Sequence, residues 1–377
     1  MKIATIVGAR PQFIKAAPVS RAIQEHNRKG KGENITEILV HTGQHYDDNM
    51  SAVFFRDLNI PKPHVNLGVG SGSHSWQTAH MLMRLEKILL AEKPDLVIVY
   101  GDTNSTLAGA LSAAKLDIPI AHIEAGLRSY NRGMPEEVNR MLTDHLSTIL
   151  FCPTKKAVDN LKAEGIINGP LNRSFPAPNF SCQVHIVGDV MLDAALYNKQ
   201  FAKEIDLEVP EKFILSTIHR QENTDDPERL VSIFKAFDRI GQEIPIVLPI
   251  HPRTKRKMQE FGIETSKSRL NLLDPVSYLE MGHLLDRCAL VMTDSGGLQK
   301  EAFFYRKFCM TLRDETEWVE LVECGCNTVT GSNEDEIYRS FERIMKVEIN
   351  ANFNLDLYGD GKASERIVAL LKDRQGV

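Results

Sequence analysis

An alternation between short apolar runs and amphipathic helical segments, kept up almost end to end, is what most limits how this chain can fold. Lys2–Val7, Ile38–Thr42, Leu96–Tyr100, Ile118–Ile123 and Ile149–Phe151 are short, β-branched and mostly apolar, as strands covered on both faces of a parallel sheet must be. Helical patterns at Pro11–Glu25, Asp48–Asp57, Gln77–Glu92, Ser105–Leu116 and Glu136–Leu146 separate them. From about Gly165 to Gln183 the period lapses into a segment rich in Pro, Gly and Asn, which reads as a long connection. The alternation then resumes, with strands at Val184–Val187, Phe213–Thr217, Ile246–Ile250, Leu290–Thr293 and Phe308–Leu312 and helices at Pro227–Gly241, Ser277–Leu285 and Leu298–Phe304. Repeated βα units predict doubly wound parallel sheets with ligand sites beyond the carboxyl ends of the strands. A length of 377 residues exceeds one such domain and suits two. The expectation is an α/β chain of two lobes facing a central cleft, the first over residues 1–182 and the second over 183–354, with a last helix at Ala363–Asp373 that can pack on either.

Composition narrows the function classes. A chain 42% hydrophobic and 25% charged has a full core, and a formal charge of −5 gives no reason to expect nucleic acid or an anionic membrane as partner. An anionic ligand then needs locally placed cations. The apolar run at the N-terminus stops at Gly8 and Arg10, too soon for a signal peptide or a membrane span. Six cysteines lie scattered without a C-x-x-C pair, which predicts reduced thiols and a cytoplasmic setting.

Chemistry-bearing residues gather where strands end. The first strand runs into Gly8-Ala9-Arg10-Pro11, with Lys15 one turn on; Gly permits a tight turn, Pro suits a first helical turn, and two cations stand where an anion is already favoured. Tyr100-Gly101-Asp102-Thr103-Asn104 puts Asp102 at the carboxyl end of a central strand, either as a catalytic group or as a helix cap. His122-Ile123-Glu124-Ala125-Gly126-Leu127-Arg128 closes the next strand on a glutamate; such a group must be paired, with Arg128 as the candidate partner, or functional. Pro135-Glu136-Glu137 starts a helix and serves either its dipole or a reaction. In the second half, His219-Arg220 ends a strand and can stabilise phosphate charge. His251-Pro252-Arg253 repeats the pattern and reads as a rigid turn. Asp294-Ser295-Gly296-Gly297-Leu298-Gln299-Lys300-Glu301 is the strongest local signal: glycines before a helix let amides approach a phosphate, and Glu301 can accept from a ribose. No metal-ligand spacing supports a metal site; His45-Tyr46-Asp47-Asp48 lacks a second framework, and no G-x-S-x-G occurs.

Taken in order, these motifs resemble the non-hydrolysing UDP-N-acetylglucosamine 2-epimerase family over nearly the whole chain. The resemblance implies a GT-B architecture of two Rossmann-like lobes, the nucleotide held mainly by the second and a final helix, about 355–377, crossing back to the first. It implies a cytoplasmic homodimer needing neither nicotinamide nor metal, with a UDP-sugar as its ligand. Carried over by motif, Asp102, Glu124, Glu136 and His219 match catalytic positions. Arg10, Lys15, Arg128, Ser295, Gly296, Gly297, Glu301 and Arg313 match substrate-binding ones. The implied reaction is loss of UDP from C1 as the C2 proton leaves, giving a bound glycal, then protonation of C2 on the other face and return of UDP. UDP-N-acetylglucosamine is the first expected substrate.

Two segments depart from family members that bind a second, activating nucleotide sugar. Their Gln-His-x-Gln stands here as Gln44-His45-Tyr46-Asp47, and their Arg-Gln-Thr as Trp76-Gln77-Thr78. A carboxylate in place of an amide and a lost arginine both disfavour a second anionic ligand. The Tyr46–Met50 and Gly68–His74 segments look closer to a sister branch acting on UDP-2,3-diacetamido-2,3-dideoxyglucuronate, the main alternative. A GT-B glycosyltransferase would share the Ser295–Glu301 site without needing all three carboxylates.

Overall fold

A computed structural model describes residues 1–30, 32–44, 62–170, 181–200, 209–264, 269–346, 351–353 and 355–373. The chain divides into two compact units, Met1–Leu196 with Asp356–Val377, and Tyr197–Leu355.

The first unit is built on strands β1 (Lys2–Val7), β2 (Thr36–His41), β3 (Val65–Asn66), β4 (Leu96–Tyr100), β5 (Ile120–Ile123), β6 (Ile149–Cys152), β7 (Gly169–Pro170) and β8 (Ser181–Ile186). Their order is β3-β2-β1-β4-β5-β6-β8-β7, parallel except where β7 runs against β8. Helices α1 (Arg10–Lys29), α2 (His74–Glu92), α3 (Asn104–Lys115), α4 (Pro135–Leu146), α5 (Lys155–Ala163) and α6 (Val190–Lys199) follow their strands. The apolar runs explain the layering: all of β4 and β5 and the last five residues of β1 are buried. Met81, Leu85 and Leu89 of α2 and Ala108, Ala110 and Ala113 of α3 close one face of the sheet. Thr103 caps α3 by accepting from the Thr106 amide, so the Gly101–Thr103 turn both ends β4 and starts the next helix.

The second unit carries β9 (Ile214–Thr217), β10 (Ile246–Pro249), β11 (Leu270–Leu273), β12 (Leu290–Thr293), β13 (Cys309–Thr311) and β14 (Asn327–Val329), all parallel, in the order β11-β10-β9-β12-β13-β14. Its helices are α7 (Gln221–Thr224), α8 (Pro227–Gly241), α9 (Pro252–Glu260), α10 (Tyr278–Arg287), α11 (Gly296–Phe304), α12 (Val319–Glu323) and α13 (Glu334–Lys346). A last helix, α14 (Ala363–Asp373), returns to the first unit and packs on α1. Asp193 of α6 holds its first turn, accepting from the Ala363 and Ser364 amides at 3.1 and 2.7 Å.

In both units the strand order reverses beside the first strand, between β1 and β4 and between β9 and β12. At such a switch point the helices leave on opposite faces, opening a crevice for ligands. One expectation is corrected. The strand foreseen at Val184–Val187 as the start of the second lobe is β8 of the first sheet, registered on β6 from Ile149↔Gln183 to Cys152↔Ile186. The described ends of the Pro- and Gly-rich segment before it pair as the β7–β8 edge; residues 171–180, and the helix expected at 48–57, lie outside the described residues.

Candidate active site

Local chemistry sets the first unit's switch point. Gln12, buried in the first turn of α1, accepts from the Gly8 and Ala9 amides at 2.8 and 3.0 Å. Its amide group donates to the Tyr100 carbonyl and to Thr106 Oγ1. One side chain thereby pins the ends of β1 and β4 together. Any Cβ on Gly8 would lie 2.0 Å from Thr42 Oγ1 and 2.1 Å from Ser105 Oγ, so only glycine fits that turn.

Beyond these ends stand the carboxylates. Glu124 is buried and ion-paired with the Lys15 ammonium, itself nearly enclosed. Its backbone is left-handed, with φ of 73°, a conformation costing a non-glycine residue about 1–2 kcal/mol and kept only where the surroundings over-determine it. Gly101, with φ of 63°, lies beside the pair: a Cβ there would sit 3.0 Å from Lys15 Nζ and 3.1 Å from Glu124 Oε2. Asp102 is half-buried and accepts from Arg140 Nη2 at 2.6 Å, and Asn139 donates to its carbonyl at 2.9 Å. Glu136 is half-buried in the first turn of α4. Its neighbour Glu137 is buried: that pushes its carboxyl up, but the Ser129 and Tyr130 amides and Arg140 outweigh it and hold the group below its ordinary range. Arg10 is half-buried at the first position of α1.

Arg128, the candidate partner of Glu124, is engaged elsewhere. Its buried guanidinium donates to Asp144 Oδ2, to both oxygens of Glu164 and to the Leu127 carbonyl, each at 2.7 Å. It braces the turn after Glu124, and Lys15 is the partner of that glutamate.

In the second unit Asp294, fully buried, closes β12 and organises the switch point. Its carboxylate accepts from the amides of His219 (3.1 Å) and Arg220 (3.0 Å) and from Asn223 Nδ2 (3.3 Å). His219 Nδ1 lies 3.7 Å away, and the ring is 44% exposed. Ser295 caps α11, accepting from the Leu298 amide, and its own amide donates to Thr293 Oγ1. A Cβ on Gly296 would lie 2.2 Å from Glu317 Oε1 and displace the carboxylate that pairs with Arg313. Glu301 is buried one turn into α11. Arg313 is buried between Glu222 (3.1 Å) and Glu317 (2.9 Å); burial opposes its charge, but those carboxylates prevail and push the guanidinium up. His251 caps α9, and burial with the nearby His219, Arg253 and Arg256 charges pushes its imidazole down, while Arg253 pairs with Asp225 at 2.5 Å.

The structure thus groups Lys15, Asp102 and Glu124 at one switch point and His219 and Ser295 at the other. Sequence reasoning gives no role to Gln12, His122, Arg140, Asp144, Asp294 and Glu317. The available signal was a polar residue inside an apolar run, as with His122 in Ile120–Ile123 or Asp294 at the end of β12. Of the two departing segments, Gln44 is engaged with Ser105 (2.6 Å), Gln77 with the Gly70 carbonyl (2.9 Å), and Trp76 is exposed. His45–Met50 lies outside the described residues.

Comparison with known proteins matches this geometry to a family. A family model described as UDP-N-acetylglucosamine 2-epimerase covers residues 28–372. The chain is 52% identical over 373 residues to a UDP-2,3-diacetamido-2,3-dideoxy-D-glucuronate 2-epimerase of Pseudomonas aeruginosa, covering 98% of this chain and 99% of the relative. Among solved structures, that of the Methanocaldococcus jannaschii UDP-GlcNAc 2-epimerase in complex with UDP-GlcNAc and UDP superposes with a TM-score of 0.87 at 42% identity, covering 99% of this chain and all of that one. A Streptomyces glycosyltransferase complexed with thymidine diphosphate matches with a TM-score of 0.54 at 12% identity over 99% of both chains, a likeness that bears on the GT-B fold alone.

Proposed function

The chain belongs to the UDP-N-acetylglucosamine 2-epimerase family and is an isomerase, and on that premise we propose that it is a UDP-2,3-diacetamido-2,3-dideoxyglucuronate 2-epimerase supplying a surface-polysaccharide precursor. One observation carries the choice of substrate: identity of 52% along the full length to the relative of that name, against 42% to the archaeal UDP-GlcNAc enzyme. The first expectation, UDP-GlcNAc, is the second reading, favoured by the close superposition on that enzyme.

The chemistry is the same for either sugar. The C2 proton is not acidified by a carbonyl, so it leaves as the C1–O bond to UDP breaks, giving a glycal and UDP. A proton then returns to C2 from the opposite face and UDP oxygen re-adds at C1. Glu124 and Glu136 serve as proton-transfer groups, each contributing about 10²–10⁴-fold, with Asp102 as a third participant. The ion pair with Lys15 supports a Glu124 carboxylate held in a fixed position for the proton transfer. Arg10 and His219, with the amides of Ser295, Gly296 and Gly297, stabilise the departing diphosphate. Glu301 takes the ribose, and Arg313 orders the nucleotide pocket through Glu317. The protein acts as a homodimer in the cytoplasm.

The test is the ratio of kcat/KM for the two UDP-sugars, measured side by side. A ratio of at least tenfold in favour of the diacetamido uronate is expected. A preference for UDP-GlcNAc would transfer the assignment to the second reading.

A further inference from the structure

Helix α4 places Glu136, Arg140 and Asp144 at successive i+4 positions, one above another on a single face. Two of them touch different parts of the first unit's switch point. Glu136 is half-buried in the first turn. Arg140, one turn on, binds Asp102. Asp144, a further turn on and fully buried, accepts from His122 Nδ1 at 2.7 Å, Arg128 Nη1 at 2.7 Å and the Gly126 amide at 3.1 Å. His122 and Gly126 lie two residues before and two residues after Glu124, so one carboxylate staples both flanks of the left-handed residue. The Phe151 carbonyl accepts from the Glu124 and Ala125 amides, both at 3.1 Å, and holds the turn from the other side.

The staple reaches further through the imidazole. His122 Nε2 lies 2.8 Å from the Gly101 carbonyl, which belongs to the peptide joining Gly101 to Asp102. Both ring nitrogens thus face oxygens, one of Asp144 and one of Gly101. The Gly101 amide is fixed as well, donating to the Ile123 carbonyl at 3.0 Å. Burial alone would push the Asp144 carboxyl up, but the His122 and Arg128 charges bring it below its ordinary value, so the keystone is an anion.

We propose that Asp144 and His122 are a positioning pair for the epimerisation, holding Glu124 and Asp102 at a fixed separation from Glu136 by way of α4. Neither residue touches substrate. The proposal rests on the reading of Glu124 and Asp102 as reacting carboxylates. Its consequence is that three groups from three elements are spaced by one helix, and a shift of about 1 Å in such a constellation can cost 10²-fold in rate.

His122→Gln and His122→Asn divide the two bonds. A Gln amide nitrogen can replace Nε2 and keep the Gly101 contact, leaving Asp144 to Arg128 and Gly126. An Asn nitrogen can replace Nδ1 and keep Asp144, leaving the buried Gly101 carbonyl without its donor. C2 proton exchange (kcat and KM), UDP affinity and Tm are measured for both, with Asp144→Asn and Glu124→Gln beside them. The expected result is a kcat about 10²-fold down in both His122→Asn and His122→Gln, since each breaks one of the two bonds of the relay, with KM and UDP affinity near wild type. A wild-type kcat in either His122 variant, or losses that follow Tm alone, overturn the proposal. An active Glu124→Gln instead overturns the reading beneath it, so the two failures are distinguishable. Should Asp144→Asn not fold, the His122 pair still decides.

Discussion

Glu124 and Gly101 stand side by side with left-handed backbones, φ 73° and 63°, and only one of them is a glycine. The strain accepted at Glu124 suits a position where a carboxylate is required for reaction rather than for folding. Gly101 supplies room for it: a Cβ would crowd both Lys15 Nζ and Glu124 Oε2. Gly101→Ala is expected to cost about 1 kcal/mol of stability from its backbone alone, read as a fall in Tm. C2 exchange should fall more than tenfold while UDP affinity stays unchanged; exchange at the wild-type rate would remove Gly101 from the site. At this scale the sequence was partly legible. A charged residue closing an apolar strand marks Asp102 and Glu124. Arg128 misleads because its acceptors, Asp144 and Glu164, lie 16 and 36 residues along the chain on helices whose relative placement no local pattern reveals. For the same reason the Lys15–Glu124 pair, 109 residues apart, was invisible.

Elements were read best where apolar runs were continuous. β1, β4, β5, β9, β10 and β12 lie where their sequences predict, because a strand buried on both faces has no polar alternation to confuse it. β8 was assigned to the wrong lobe: Ser181–Ile186 is mixed in character and follows a long aperiodic segment, and only pairing with β6 reveals its sheet. β2 carries a testable irregularity. Glu37 within it is pushed above the ordinary glutamate value by burial, although Thr5, Ser20 and His64 act the other way, and Thr5 Oγ1 donates to it at 2.6 Å. A carboxyl whose folded pKa is raised stabilises fully below its unfolded value and loses that contribution as pH rises through the folded one. Thermal melts should therefore show Glu37→Gln gaining on the wild type from about pH 4.5 upward, with the gap levelling at higher pH. A gap that widens toward acid would reverse the sign and refute the assignment.

For the molecule as a whole, two units repeat one plan, a strand order that reverses beside the first strand, yet carry different chemistry at the reversal. Carboxylates with paired cations mark the first unit, and a Ser-Gly-Gly helix start with a buried arginine marks the second. This division predicts separable phenotypes. Ser295→Ala removes the α11 cap, worth about 1 kcal/mol, and together with Glu301→Ala should weaken UDP binding by calorimetry roughly tenfold for each lost hydrogen bond. Glu124→Gln should abolish C2 exchange with UDP binding intact. Variants of either unit that altered both properties equally would dissolve the distinction.

The central claim is proton exchange at C2 during transient loss of UDP, and incubation with UDP-2,3-diacetamido-2,3-dideoxyglucuronate in D₂O tests it most directly. The account predicts an epimer inverted at C2, deuterated at that carbon and observed by NMR, with UDP-GlcNAc labelled more slowly in a parallel reaction. Inversion without deuterium, or transfer of the sugar to an added acceptor with C2 untouched, would contradict it.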